Sequence, residues 1–149
     1  MNSRDSIPIG SLLLTPAIAA IDRVNDALTE SGFADIRPAH ARALRYIDDR
    51  GARITEMAEA AHMTKQSMSN LVAYLVANDY LDFEPDPEDQ RAKRVVLTSK
   101  GKKVQELASQ TMKTVEADWS QSIGEDQMQA LRTLLELLFA NVKPAREDL

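Results

Sequence analysis

Two helix-like segments meet at a tight turn, His62-Met63, and the second leads into a charged hairpin, Asp86-Pro87-Glu88-Asp89-Gln90-Arg91-Ala92-Lys93-Arg94, flanked by strand-like residues. A helix pair followed at once by a β-ribbon has few ways to pack. The order predicts a winged helix-turn-helix, in which a helix sized for the major groove stands beside a basic wing able to reach the adjacent minor groove.

The 149 residues, 44% of them hydrophobic, suffice for one well-cored domain, expected over 1–149. No apolar run of about 18 residues is present, and the N-terminus lacks the basic and apolar regions of a secretory signal, so a cytoplasmic protein with no membrane partner is expected. The chain has no cysteine, which excludes disulfides, thiolate nucleophiles, Cys-type zinc sites and thiol-based redox sensing. A net charge of −5 argues at face value against nucleic acid. The distribution changes that reading: residues 37–101 hold ten Lys/Arg against ten Asp/Glu, so the acidity sits in the flanks. Arg91, Lys93 and Arg94 must then supply much of any positive field.

Leu14, Ile18, Ile21, Val24 and Leu28 recur with helical spacing between Ser11 and Ser31, and Gly32 is placed to end that helix. Pro16 fits a first turn capped by Thr15, or else kinks a helix begun at Ser11. A second helix is expected from Arg37-Pro38 to about Arg50, ended by Gly51, with Ala41, Leu44, Tyr46 and Ile47 inward. After a short strand at Ala52–Ile54, a helix capped by Thr55 turns Met57, Ala58 and Ala61 to the core. Thr64 caps the next, where Met68, Leu71, Val72, Leu75 and Val76 form one buried stripe. Tyr80–Glu84 and Ala92–Leu97 read as paired strands. Thr98 caps a helix running toward Trp119. The last, Glu125 to about Val142, carries more apolar surface than a peripheral helix buries alone, which points to a homodimer. The fold class is therefore mainly α with a small hairpin wing and about six helices.

Outside the buried stripe, the helix opening at Thr64 presents Thr64, Lys65, Gln66, Ser67, Ser69, Asn70 and Tyr74. Gln and Asn can pair with adenine, Ser and Thr can donate or accept, Lys65 can neutralise a phosphate, and a helix N-terminus favours anions. On an extended ribbon Asp89, Arg91 and Lys93 share a face, so Asp89 can orient the Arg91 guanidinium for minor-groove insertion. A solvated helix face and a hairpin with surface ion pairs would each look the same in isolation. Helix and wing together favour DNA. His40 and His62 lack companions at metal-ligand spacing, and Met57, Met63 and Met68 read as packing, so neither a metal nor a cofactor is expected. No Ser-His-Asp order, phosphate-binding glycine loop or isolated carboxylate pair offers a catalytic residue, and the chain is expected not to be an enzyme.

The segments Ile54-Thr-Glu-Met-Ala-Glu-Ala-Ala, Met63-Thr-Lys-Gln-Ser-Met-Ser-Asn-Leu-Val and above all Asp86-Pro-Glu-Asp-Gln-Arg-Ala-Lys-Arg-Val-Val-Leu-Thr-Ser-Lys-Gly resemble the multiple-antibiotic-resistance-regulator (MarR) family of bacterial transcription factors. The resemblance implies an obligate homodimer joined by its first and last helices (11–36 and 102–149), with a DNA-binding region at 37–101 and a pseudo-palindromic operator. It makes residues 64–78 the recognition helix, Arg91 the wing-tip residue and Asp89 its orienting partner. Many members are repressors released by small aromatic or phenolic ligands, and a pocket is expected where the first, second and fifth helices converge. The chain departs from the pattern at His62 and Asp79, where glycine is usual, at Asn70, where arginine is frequent, and at Gln90, beside the wing-tip arginine. The expected function is a DNA-binding regulator, with a protein-binding winged helix as the alternative.

Overall fold

The computed structural model describes residues 7–142. The first six residues and residues 143–149, both inside the expected 1–149 domain and the latter inside the expected 102–149 dimerisation segment, lie outside the described residues. The elements follow in the order α1 (Ile9–Glu30), α2 (Pro38–Leu44), α3 (Ile54–Ala60), α4 (Lys65–Ala77), β1 (Leu81–Pro85), β2 (Lys93–Leu97), α5 (Ser99–Ile123) and α6 (Glu125–Asn141). This is the winged helix-turn-helix that the sequence predicts, mainly α with one hairpin.

Three helices end in the same backbone device. After α1, α3 and α4 the chain enters the left-handed region at Gly32 (φ 90°), His62 (φ 54°) and Asp79 (φ 63°). In each case the next residue's N–H reaches back to a carbonyl of the last turn: Phe33 to Leu28, Met63 to Ala58 and Tyr80 to Leu75, all at 2.8 Å. The left-handed residue itself bonds the carbonyl one residue further on, so two otherwise orphaned acceptors are satisfied per helix. The reversal at His62 sets the angle between α3 and α4, and the one at Asp79 aims the chain into β1.

Several boundaries differ from expectation for identifiable reasons. α1 begins at Ile9 after Pro8, so Thr15 is not its cap and Pro16 lies inside it. All residues from Ile9 to Ala19 are exposed, and only Ala20, Val24 and Leu28 of this helix are buried. Leu14, Ile18 and Ile21 thus follow the helical stripe but extend beyond this chain's own core. α2 stops at Leu44, not near Arg50, because the Gln105 side-chain amide on α5 donates to the carbonyls of Leu44 (2.8 Å) and Ile47 (2.9 Å) where the helical ladder ends. α3 is capped at Arg53, not Thr55: the Glu56 carboxylate accepts the Arg53 N–H at 3.1 Å, and Thr55 is exposed.

The core joins α1, the helix-turn-helix, the hairpin and the start of α5 through fully buried Leu28, Leu44, Met68, Leu75, Tyr80 and Val95. β1 and β2 pair antiparallel from Leu81 opposite Leu97 to Pro85 opposite Lys93. A single isolated bridge joins Ala52 to Val95 on the other side of β2, the remnant of the expected Ala52–Ile54 strand. α5 enters against the hairpin so closely that a Cβ on Gly101 would lie 2.1 Å from the Tyr80 carbonyl oxygen. Farther along, α5 packs against α1 and then against α6, which has no buried residue. Among the described residues no helix is long and apolar enough to cross a membrane, and no group of three or more His, Asp or Glu could hold a metal.

Candidate nucleic-acid interface

Thr64 starts the second helix of the pair: its hydroxyl accepts the Ser67 N–H at 3.1 Å and donates to Ser67 Oγ at 2.9 Å. Both side chains are half-buried and occupied in capping, so they shape the N-terminus of α4 before they could meet a ligand. Lys65, Gln66 and Asn70 are exposed beyond them, and Ser69 is half-buried. The Gln66 side-chain amide donates to Asn70 Oδ1 at 3.0 Å, joining two amide side chains one helical turn apart on the outer face. That pair keeps a carbonyl on Gln66 and an amino group on Asn70 for another partner, the complement that adenine requires.

Tyr74 lies further along α4 and turns toward the body of the protein. Its ring stacks on His40 of α2, with centroids 4.2 Å apart and planes 6° from parallel, and its hydroxyl donates to the Asp35 carbonyl at 2.8 Å. Asp35 also accepts the Tyr80 hydroxyl on its carboxylate at 2.7 Å. Burial and this acceptor raise the Tyr80 pKa well above the usual phenolic range. His40 is buried and takes the Arg37 N–H on Nδ1 at 3.1 Å; desolvation, with the nearby Arg37 charge, lowers its pKa. Tyr74 therefore couples α4 to α2 and to the loop after α1.

In the wing, Arg91 and Lys93 are exposed, and the Lys93 ammonium lies 5.9 Å from the Phe83 ring centroid. Asp89 does not hold the Arg91 guanidinium. Its Oδ1 accepts the Arg91 main-chain N–H at 3.0 Å, because the carboxylate reaches the backbone two residues on more readily than a long, solvated side chain. Arg94 is directed inward, donating from Nη2 to the Gly51 carbonyl at 2.7 Å, with its Nε buried and unpartnered. Of the three wing cations named from the sequence, two thus face outward and one ties the wing to the chain before α3.

Sequence reasoning missed the ion pair between Arg53 and Asp86. Arg53 Nε lies 2.6 Å from Asp86 Oδ2, and the Asp86 side chain is 1% exposed. The Glu88 main-chain N–H and then the Arg53 guanidinium hold this carboxylate below its usual pKa. The signal was the Asp86-Pro87 step, where an acidic residue opens a loop; nothing in the spacing linked it to a residue 33 positions earlier.

Residues 34–92 match the model of the MarR family. Over this stretch the winged module is similar to that of the MarR family. The exopolysaccharide II synthesis transcriptional activator ExpG of Rhizobium meliloti (strain 1021) is 30% identical over 77 residues, 52% of this chain and 40% of that protein. The chain therefore spans about two fifths of this curated relative's length. Solved structures extend the likeness of fold beyond the winged module. CouR of Rhodococcus jostii RHA1, bound to p-coumaroyl-CoA, superposes with a TM-score of 0.74 at 20% identity, covering 92% of this chain and 95% of that one. S. aureus MepR, solved with DNA, gives 0.75 at 18% identity, covering 92% and 100%. At such identities these two show the shared fold.

An open groove of about 670 Å³ runs between α5 and α6 and reaches the turn between α3 and α4 at His62. Trp119, Met128, Leu131, Leu135 and Phe139 line it, with Glu116, Arg132 and Glu136 at its polar positions. It lies away from the convergence of α1, α2 and α5 where the sequence reading put a pocket.

Proposed function

We propose that the chain is a cytoplasmic transcriptional regulator that binds double-stranded DNA sequence-specifically as a homodimer. The observation that carries this reading is the union, in one packed module, of an exposed Lys65, Gln66 and Asn70 face on α4 with the exposed Arg91 and Lys93 of the wing. α4 would lie in the major groove, with Lys65 on a phosphate and Gln66 and Asn70 on base edges, while Arg91 enters the minor groove. The MarR-family match and the DNA-bound fold of MepR support it.

Dimerisation is supported by the apolar surface left open on α1 and α6. Leu134, Leu137 and Phe139 are 65%, 63% and 78% exposed, and Ile9 is 70% exposed. Such a surface far exceeds what a monomer scatters singly and fits a second copy. A twofold dimer would present two copies of α4 to a pseudo-palindromic operator. Repression relieved by a small aromatic or phenolic effector is the preferred mode, and the p-coumaroyl-CoA bound by CouR supports ligand control in this fold. Activation is the second reading, favoured by the activator ExpG. No catalytic step and no cofactor enter the mechanism.

The test is selection of duplexes from a random pool by the purified protein, followed by titration against random duplex at several salt concentrations. Enrichment of a two-half-site sequence whose binding is lost in Arg91→Ala supports the regulator. Binding without selection or salt dependence overturns it in favour of a protein-binding winged helix.

A further inference from the structure

The wing is tied to residues 51–53, immediately before α3, by three contacts of different kinds. Arg94 Nη2 donates to the Gly51 carbonyl at 2.7 Å, Ala52 and Val95 exchange main-chain hydrogen bonds of 2.9 and 2.8 Å, and Arg53 Nε meets Asp86 Oδ2 at 2.6 Å. The first two act on β2. Of these three contacts, the third reaches the other side of the hairpin, where β1 gives way to the tip loop. Asp86 also closes that loop: its Oδ1 accepts the Glu88 N–H at 2.9 Å and its own N–H donates to the Ala92 carbonyl at 3.0 Å. One buried carboxylate thus joins the loop bearing Arg91 to the residue that opens α3.

We propose that Arg53 and Asp86 are positioning residues for operator recognition, their ion pair fixing the angle of the wing against α3 and hence the place of Arg91 relative to α4. This rests on the regulator reading above. Stability is a poor explanation for the pair, because an apolar contact of similar volume serves a core as well as a buried ion pair does. The hairpin is already anchored by Leu81 and Val95, both buried. Direction is what apolar contacts do not supply: a guanidinium and a carboxylate with fixed hydrogen-bond axes resist rotation of the ribbon about its β2 attachment. A wing free to rotate would still neutralise phosphates but would enter the minor groove at the correct step less often.

The experiment compares wild type, Asp86→Asn, Arg53→Gln and Arg53→Lys on duplexes selected by the wild type and on random duplex. The wing is followed by the distance between spin labels at Glu59→Cys and Gln90→Cys, placed uniquely because the chain has no cysteine of its own. Samples are diluted with unlabelled chain so that only distances within one chain are read. In Asp86→Asn and Arg53→Gln, preference for selected over random duplex is expected to fall about tenfold, with random-duplex binding altered by less than about twofold. The label distance should broaden in both, and Arg53→Lys should recover most of the preference. Should Asp86→Asn fail to fold, Arg53→Gln, at the 36% exposed end of the pair, decides alone. Full preference in a folded variant, whether the distance broadens or stays narrow, overturns the proposal. A wild type that selects no duplex removes the regulator reading itself, and this role with it, a result distinct from a loss confined to the variants.

Discussion

Tyr74 of α4 lies flat against His40 of α2, centroids 4.2 Å apart, with the imidazole Nδ1 accepting the Arg37 N–H that opens α2. Protonation of His40 would convert that acceptor into a donor and place a charge in a buried site beside Arg37, which nearby Asp35 offsets in part. Desolvation and Arg37 hold the folded pKa of His40 below 6.5, so the unfolded chain binds the proton more readily. The stabilising contribution of neutral His40 is therefore complete above pH 6.5 and falls as the pH drops through 6.5 toward the lower folded value. Thermal melting between pH 5 and 8 should show a declining Tm on the acid side, and His40→Gln should flatten that decline. An equally steep acid limb in His40→Gln would assign the dependence to other groups.

His62 and Asp79 occupy left-handed positions that Gly32 occupies without cost. A side chain there is strained by contact with its own carbonyl, by about 1–2 kcal/mol for most residues and less for Asp. His62→Gly and Asp79→Gly should each stabilise the protein by about 0.5–1 kcal/mol, the relief of strain being offset in part by the greater entropy of the unfolded chain. Alanine at either position should destabilise. Urea unfolding separates these signs, and destabilisation by both glycines would show that the side chains contribute contacts beyond the turn.

The order of elements was legible because it depends on local patterns: the stripe of Met68, Val72 and Leu75, the turn between Met57 and Met68, and the Thr64 and Thr98 caps. The left-handed turns at His62 and Asp79 could be foreseen from the few residue types that tolerate them. What escaped was decided by long-range partners. α2 ends where Gln105 arrives from α5, Arg94 is drawn inward by Gly51, and Asp86 is neutralised by Arg53, each pairing separated by tens of residues. A charged residue's identity says that it can reach an acceptor, but the fold chooses which.

Thr55 and Thr98 look alike in sequence as caps and differ in the structure. Thr98 Oγ1 accepts the Gly101 N–H at 3.1 Å and donates toward the carbonyls of Asp79 and Tyr80, locking α5 to the turn between α4 and β1. Thr98→Ala should cost about 1–2 kcal/mol, whereas exposed Thr55→Ala should stay within about 0.5 kcal/mol. Gly101→Ala should cost more than either, about 3 kcal/mol, since its methyl would fall 2.1 Å from the Tyr80 oxygen and α5 must retreat. Denaturant midpoints for the three variants check the ranking, and Gly101→Ala close to wild type would mean that α5 moves freely against the hairpin.

Lys65, Arg91 and Arg94 are all cations of the winged module, yet their environments assign them different effects. Lys65 and Arg91 are exposed and no carboxylate pairs with either among the described residues. Arg94 is half-buried on the Gly51 carbonyl. If DNA is the partner, Lys65→Ala should weaken binding about equally across sequences and reduce the slope of log affinity against log salt by about one. Arg91→Ala should weaken selected duplex by about 1–3 kcal/mol and random duplex less. Arg94→Ala should lower thermal stability, by leaving the Gly51 carbonyl without its donor, while the salt slope of the folded fraction stays near that of wild type. A salt slope reduced as much in Arg94→Ala as in Lys65→Ala would mean that the guanidinium leaves Gly51 and turns to a phosphate when DNA binds.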